Sequence, residues 1–315
     1  MNKIPIVAIV GPTATGKTKL SIELAKAKNG EIISADSMQI YRNLNIGTAK
    51  PTSSEMQEIK HYMIDIKDVT EDFSVAMYCK IAHNLIKQIN EKGKLSFLVG
   101  GTGLYIDSLV NNIKFYESEV NRDLRKDLNF KLHEKGVQAL IDELSEFDIE
   151  SAVKMNEKNP KRVIRAIEFY RTTGVKMSDQ IKFSQSQPSL YNTCFIGLNY
   201  RSRDKLYDSI NKRVDKMIES GLLNEAEWLL NLIKNNKEKT ITAAGAIGYK
   251  ELFPYLNGEK TLDESIENLK RASRRYAKRQ LTWFRRNNSI NWIFVDDYSD
   301  FNDIIRTARK IIEKY

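Results

Sequence analysis

The sequence is short of the residues that several architectures require. Two Cys in 315 residues make neither a disulfide framework nor a structural zinc site, and three His add little. A reducing, cytoplasmic compartment is the expectation. There are only six Pro, no internal repeat and no low-complexity tract, so fibrous, Pro-rich and solenoid architectures are excluded. No apolar run approaches the ~18 residues of a membrane span, and no membrane association is expected. The near-terminal stretch Ile4-Pro5-Ile6-Val7-Ala8-Ile9-Val10 is apolar, but it runs straight into a Gly-rich loop. It reads as a strand buried on both faces, not as a signal peptide. The sharpest deficit is local: residues 268–295 contain no Asp or Glu.

That gap explains most of the net charge. The chain carries 50 Lys and Arg against 41 Asp and Glu, a balance of +9. The acid-free segment holds 8 of the bases: Lys270, Arg271, Arg274, Arg275, Lys278, Arg279, Arg285 and Arg286. Without those 8 the remainder stands at +1. One segment therefore carries nearly the whole excess, which points to a local polyanion contact. With 41% apolar residues the chain has material for cores, and its length suits a core domain carrying a second one.

Strand and helix signals alternate in the first third. Residues 4–10, 30–36 and 95–99 read as short buried strands, and 61–66 as a possible fourth. Ser74 caps a helix running to about Glu91. This alternation predicts an α/β fold with a parallel sheet. Residues 116–190 are charged and helical in period, so a helical insertion is expected between core segments 1–115 and 191–315. In the second core segment, helical patterns cover about 203–233 and 261–288, followed by a strand at 291–295 and a terminal helix.

Gly11-Pro12-Thr13-Ala14-Thr15-Gly16-Lys17-Thr18 fits GxxxxGK(S/T). In this motif backbone N–H groups turn inward around a phosphate, the Lys adds charge and the Thr hydroxyl can ligate Mg²⁺. A strand before the loop and a helix after it are the right context. Leu95 to Val99 does not end in the Asp that a hydrolytic motor would place there for Mg²⁺. Asp36 instead ends the strand after the P-loop helix, which favours transfer to a bound acceptor. An Asp at that sheet edge is able to take a proton from an attacking group. Asp36-Ser37 is equally good turn chemistry. Thr102, within Gly100-Gly101-Thr102-Gly103, ends another strand and is open to the same two readings.

Lys270, Arg271, Arg274, Arg275, Lys278 and Arg279 fall on one face of a helix. Charged helix faces normally mix signs, and this one has no acid of its own. Phosphate-backbone contacts would account for it. The neighbouring Trp283 and Phe284 are candidates to stack on bases.

Several blocks together resemble the tRNA dimethylallyltransferases. They are GPTATGKT (11–18), SADSMQIYRNLNIGTAKPT (34–52), LVGGTGLYID (98–107), NPKRVIRAIE (159–168), LYDSINKRVDKMIESGLLNEA (206–226), AIGYKEL (246–252) and YAKRQLTWFRR (276–286). They run in the family's order over nearly the whole chain. The resemblance implies a P-loop, nucleotide-kinase-like core whose helical insertion contacts the tRNA anticodon stem-loop. It implies transfer of a dimethylallyl group from dimethylallyl diphosphate to the exocyclic amine of the adenosine 3′ of the anticodon. Residues 11–18 would bind the diphosphate, with Mg²⁺ on Thr18 and Arg203 as a further cation. Asp36 would be the general base, and Thr102 would hold the adenosine. Asp36, Ser37, Met38 and Gln39 would meet a base flipped out of its stack. Asn159, Pro160, Lys161, Arg162, Val163 and Arg165 match a tRNA-touching block, and Arg122 and Arg125 are weaker candidates. A monomer is the default.

The chain departs from the family pattern at Tyr62, where a second His is frequent, at Ser209, where Arg is common, and at Gly245, where Gln is frequent. The absence of the C-terminal zinc finger of eukaryotic relatives suggests a bacterial type. Two competing readings are a small-molecule kinase with ATP as donor and a non-catalytic RNA-binding protein. The first leaves the basic helix idle, and the second leaves Asp36 and Thr102 without a task.

Overall fold

A computed structural model of the chain describes residues 3–116, 121–155, 159–184, 187–236, 238 and 241–315. In chain order the first elements are β1 (Ile4–Val10), α1 (Lys17–Ala27), β2 (Gly30–Ser34), α2 (Ser53–Met56), β3 (His61–Tyr62), α3 (Val75–Glu91), β4 (Leu95–Val99) and α4 (Gly103–Val110). Four helices follow: α5 (Arg122–Phe147), α6 (Ile149–Lys154), α7 (Pro160–Thr173) and α8 (Met177–Ser184). The rest comprises β5 (Tyr191–Asn199), α9 (Arg203–Glu219), α10 (Leu222–Asn235), α11 (Phe253–Leu256), α12 (Leu262–Phe284), β6 (Ile290–Phe294) and α13 (Phe301–Ile312). Among the described residues no helix is long and apolar enough to cross a membrane.

The chain divides into two compact units, Met1–Val110 with Leu190–Tyr315, and Asn111–Ser189. The insertion thus begins at Asn111 rather than at 116. In the first unit six strands form one sheet in the order β3-β2-β4-β1-β5-β6, and every pair is parallel. The Ile/Val-rich run of β1 is buried from Ile6 to Val10, as a strand covered on both faces should be. Leu20, Leu24, Ile304 and Ala308 of α1 and α13 join Val7, Ile9 and Ile196 in one apolar core. The stacked rings of Tyr78 and Tyr105 link α3 to α4. The helical pattern at 203–233 is broken at Gly221, whose φ of 96° starts α10 afresh.

The second unit packs Leu128, Leu140, Leu144, Val163 and Ile167 into a separate core. Its α5 leaves helical geometry at Gly136.

Topology positions the site. β4 lies between β1 and β2, so the loops leaving the carboxyl ends of all three strands are neighbours. The Gly100 N–H donates to the Ile9 carbonyl at 3.2 Å, and the Thr102 N–H donates to the Ala35 carbonyl at 3.2 Å. This approach requires glycine at 100, where a Cβ would stand 2.2 Å from the Ala35 oxygen. The P-loop, Asp36 and Thr102 are thereby gathered at one sheet edge, the crevice of an open α/β sheet.

Candidate active site

A cavity of about 790 Å³ opens along this edge. Thr13 to Thr18 line one wall, and Asp36 to Gln39 line another. The P-loop is held from inside. The Thr15 hydroxyl donates to the Pro12 carbonyl at 2.9 Å, and the Lys17 ammonium donates to the same carbonyl at 2.6 Å. Ser209 of α9 donates to the Ala14 carbonyl at 2.9 Å, so this departure from the family pattern braces the loop. Not every amide of the loop faces the cavity as a free donor. The Thr13 N–H is spent on the Gln280 carbonyl oxygen at 3.0 Å.

Asp36 caps the turn that follows it. Its Oδ1 accepts from the Met38 N–H at 2.8 Å and the Gln39 N–H at 3.4 Å. The turn and site readings of this residue are therefore compatible, because the carboxylate orders its own loop and still lines the cavity. The Thr102 hydroxyl accepts from the Ser37 N–H at 3.2 Å, and the Tyr276 hydroxyl lies beside it. Burial, with the Asp36 charge next in weight, pushes the Tyr276 hydroxyl up to about 12, so it stays protonated.

The electrostatics are those of an anion site. Burial and the neighbouring Arg213 push the Lys17 ammonium down to about 7, against the opposing pull of Asp36. Arg213 is itself lowered by burial, with Asp36 and Glu55 supporting its charge. Two crowded cations in one cleft are what an incoming polyanion relieves.

Arg213 was not evident from sequence, and it reaches the cavity where Arg203 does not. Arg203 is exposed on α9, with its Nε bonded to the Tyr207 hydroxyl at 2.8 Å, and it does not line the cavity. Arg213 does. The signal was present, since Leu206, Ile210 and Val214 are the buried stripe of α9 and Arg213 adjoins it. A base beside a buried stripe needs an anionic neighbour. Gly245 also lines the cavity, and a Cβ there would meet nothing within 4 Å. Tyr62 instead donates to Glu31 at 2.7 Å and has a structural task.

The basic helix is partly paired, which corrects the reading of an unopposed face. Lys270 meets Asp215 of α9 at 2.8 Å and Glu267 at 3.4 Å. Arg274 donates to Asn211 at 2.7 Å. Arg271, Arg275, Lys278 and Arg279 are exposed, and Arg279 also lines the cavity. Of the two aromatic neighbours, burial closes Phe284 to a base. The Trp283 Nε1 donates to Asp107 at 2.6 Å.

In the second unit Asn159, Lys161, Arg162 and Arg122 are exposed, and Pro160 opens α7 half-buried. Val163 is fully buried in that unit's core, which removes it from any surface contact. Arg125 and Arg165 each reach the buried Glu168 at 3.0 Å. They neutralise an interior carboxylate, a structural demand that sequence spacing did not reveal.

A family model described as IPP transferase matches residues 39–287. The tRNA dimethylallyltransferase of Halalkalibacterium halodurans is 47% identical over 310 residues, covering 98% of this chain and 97% of that one. That of Caldanaerobacter subterraneus subsp. tengcongensis is 47% identical over 303 residues, covering 96% and 95%. Among solved structures, the full-length tRNA isopentenylpyrophosphate transferase of Bacillus halodurans superposes with a TM-score of 0.71 at 45% identity, over 99% of this chain and 98% of that one. A eukaryotic dimethylallyltransferase acting on tRNA gives 0.81 at 29% identity, over 98% and 77%. Motif order, sheet topology and these likenesses agree: the chain belongs to the IPP transferase family, whose members here are the tRNA dimethylallyltransferases.

Proposed function

We propose that the chain transfers a dimethylallyl group from dimethylallyl diphosphate to the exocyclic amine of the adenosine 3′ of the tRNA anticodon, releasing diphosphate. The observation that carries this reading is a single cavity shared by Lys17, Arg213 and Asp36, with Arg279 of the basic helix on its wall. The cations suit a diphosphate leaving group, and the carboxylate suits an amine that must lose a proton.

In the reaction the amine nitrogen forms a bond to the allylic carbon, and that carbon's bond to the diphosphate oxygen breaks. The bonding pair leaves with the diphosphate, where Lys17, Arg213 and loop amides stabilise the growing charge. Asp36 takes the amine proton as the nitrogen becomes cationic. The Thr102 hydroxyl, ordered by the Ser37 N–H, keeps the base beside Asp36. The donor set also fits Mg²⁺. Thr18, which lines the cavity, would offer its hydroxyl oxygen, and the cation would take most of its other ligands from diphosphate and water. When bound, Mg²⁺ would supply further charge to the leaving group.

Exposed Arg271, Arg275, Lys278 and Arg279 suit the phosphate backbone of the tRNA. Both cysteines are free and buried, in keeping with a reducing compartment. The test is incubation with unmodified tRNA, Mg²⁺ and labelled dimethylallyl diphosphate. One label per tRNA with matching pyrophosphate release is expected. No label in tRNA would overturn the proposal, and ATP consumption with a small acceptor would replace it with a kinase.

A further inference from the structure

The inner face of α12 holds both halves of the cavity. Tyr276, Gln280 and Trp283 follow one another at helical spacing on that face. Tyr276 lies beside Thr102 and Gln280. Trp283 reaches Asp107 on α4 at 2.6 Å. Between them Gln280 spans two loops. Its Oε1 accepts from the Thr13 N–H of the P-loop at 3.0 Å, and its Nε2 donates to the Gly101 carbonyl at 3.0 Å. The side chain is 5% exposed.

A neutral amide satisfies this pair. Thr13 presents a donor and Gly101 an acceptor, so the bridging group must be both at once. A carboxylate would face the Gly101 carbonyl with a second acceptor, and a thioether would leave both backbone groups without partners. Gly101 is shaped for the bridge as well, since a Cβ there would lie 2.0 Å from the Gln280 Nε2.

We infer that Gln280 is a positioning residue that sets the separation of the donor loop from the acceptor loop and couples both to the basic helix. The inference rests on the transfer reading above. The P-loop carries the diphosphate end of the donor, and the residue after Gly101 is Thr102, which holds the acceptor base. The same helix turns Arg271, Arg275 and Lys278 outward to the acceptor backbone. Acceptor binding on the outer face and donor binding on the inner face thus act on one rigid element. Linkage requires the effect to be reciprocal, so each ligand alters the affinity of the other.

The test uses Gln280→Met, close in volume and without the amide, and Gly101→Ala. The alanine methyl displaces only the end of a flexible side chain and leaves α12 itself unaltered. Three quantities are read in the full-length protein. They are kcat, the Kd of the anticodon stem-loop, and the Kd of pyrophosphate with and without that stem-loop. In each variant kcat should fall roughly 10- to 100-fold, the scale of a reacting pair misplaced by about an ångström. Stem-loop Kd should stay within about twofold, and the stem-loop should no longer change pyrophosphate affinity. The double variant should be little worse than either single one, because both remove one bridge. If the parent transfers dimethylallyl but Gln280→Met keeps its kcat, the inference fails while the transfer reading stands. Additive losses in the double variant, or a coupling ratio unchanged from the parent, would also overturn it. A parent that places no label in tRNA overturns the transfer reading instead.

Discussion

The guanidinium of Arg213 lowers the affinity of Lys17 for its proton, beyond what burial of the amine does. A Lys17 pKa of about 7 leaves that side chain only about half charged near neutral pH. A bound diphosphate should restore the proton. The sign follows: below pH 7 Lys17 is already charged and binding takes up no proton there, whereas above 7 binding must bring one in. Calorimetry of pyrophosphate binding in buffers of different ionisation enthalpy should show proton uptake by the protein rising between pH 6 and 8, toward about one. Lys17→Met should abolish that uptake and weaken binding. Uptake that persists in the variant would assign the titration to another group.

The two arginines on α9 should separate cleanly. Arg213→Ala should raise the pyrophosphate Kd at least about tenfold, the size of one charge-assisted contact. Arg203→Ala, at an exposed site bonded to Tyr207, should change it less than about twofold. Equal effects would return Arg203 to the donor site.

Asp36→Asn isolates proton transfer from loop order. The amide oxygen of Asn keeps an acceptor for the Met38 and Gln39 N–H groups. A general base contributes roughly 10²- to 10⁴-fold, so kcat should fall by at least about 100-fold while tRNA affinity holds. Equal losses of binding and turnover would make Asp36 a loop anchor alone.

Salt dependence should sort the basic helix. Replacing any one of Arg271, Arg275 or Lys278 with Ala should reduce the slope of log K against log salt for tRNA binding by up to ~0.9. Lys270→Ala should leave the slope nearly unchanged, because Asp215 and Glu267 already neutralise that ammonium. A full unit of slope lost at Lys270 would mean that tRNA displaces the acids.

Stability should report on a brace behind the site. Glu225 accepts from the N–H groups of Asn45, Ile46 and Gly47 and from the Tyr249 hydroxyl, all within 3.0 Å. It fastens the segment that follows Gln39. Glu225→Ala should cost at least ~2 kcal/mol in denaturant unfolding, the range for bonds to a charged group. A loss below about 0.5 kcal/mol would show that the loop is held by its apolar packing.

The parts of the site carried by strand ends were legible in sequence. A short apolar run followed by Gly-rich or Asp-containing loops identifies a strand and its exit together, which located the P-loop and Asp36 on the cavity wall and Thr102 at the same sheet edge, although Thr102 does not itself line the cavity. Arg213 was missed because its role depends on which neighbour its helix packs against. Lys270 seemed unopposed because a segment counted from residue 268 leaves out Glu267, and because Asp215 is adjacent only once α9 lies beside α12. Val163 was grouped with its basic neighbours, although helical geometry turns it inward between them. In each case a block of residues was read as a unit while the fold divided it by direction.

The position of the insertion also bears on how the protein is made. β1 pairs with β5 along its full length, from Ile4 with Tyr191 to Val10 with Gly197. Those partners are separated by the whole of Asn111–Ser189. During synthesis β1, the strand that leads into the P-loop, is therefore an unpaired edge of the growing β3-β2-β4-β1 sheet until β5 emerges. An Ile/Val-rich edge left open for that interval is a target for chaperones and for mispairing. Completion of the sheet beneath the P-loop is thus tied to translation of the chain beyond the insertion.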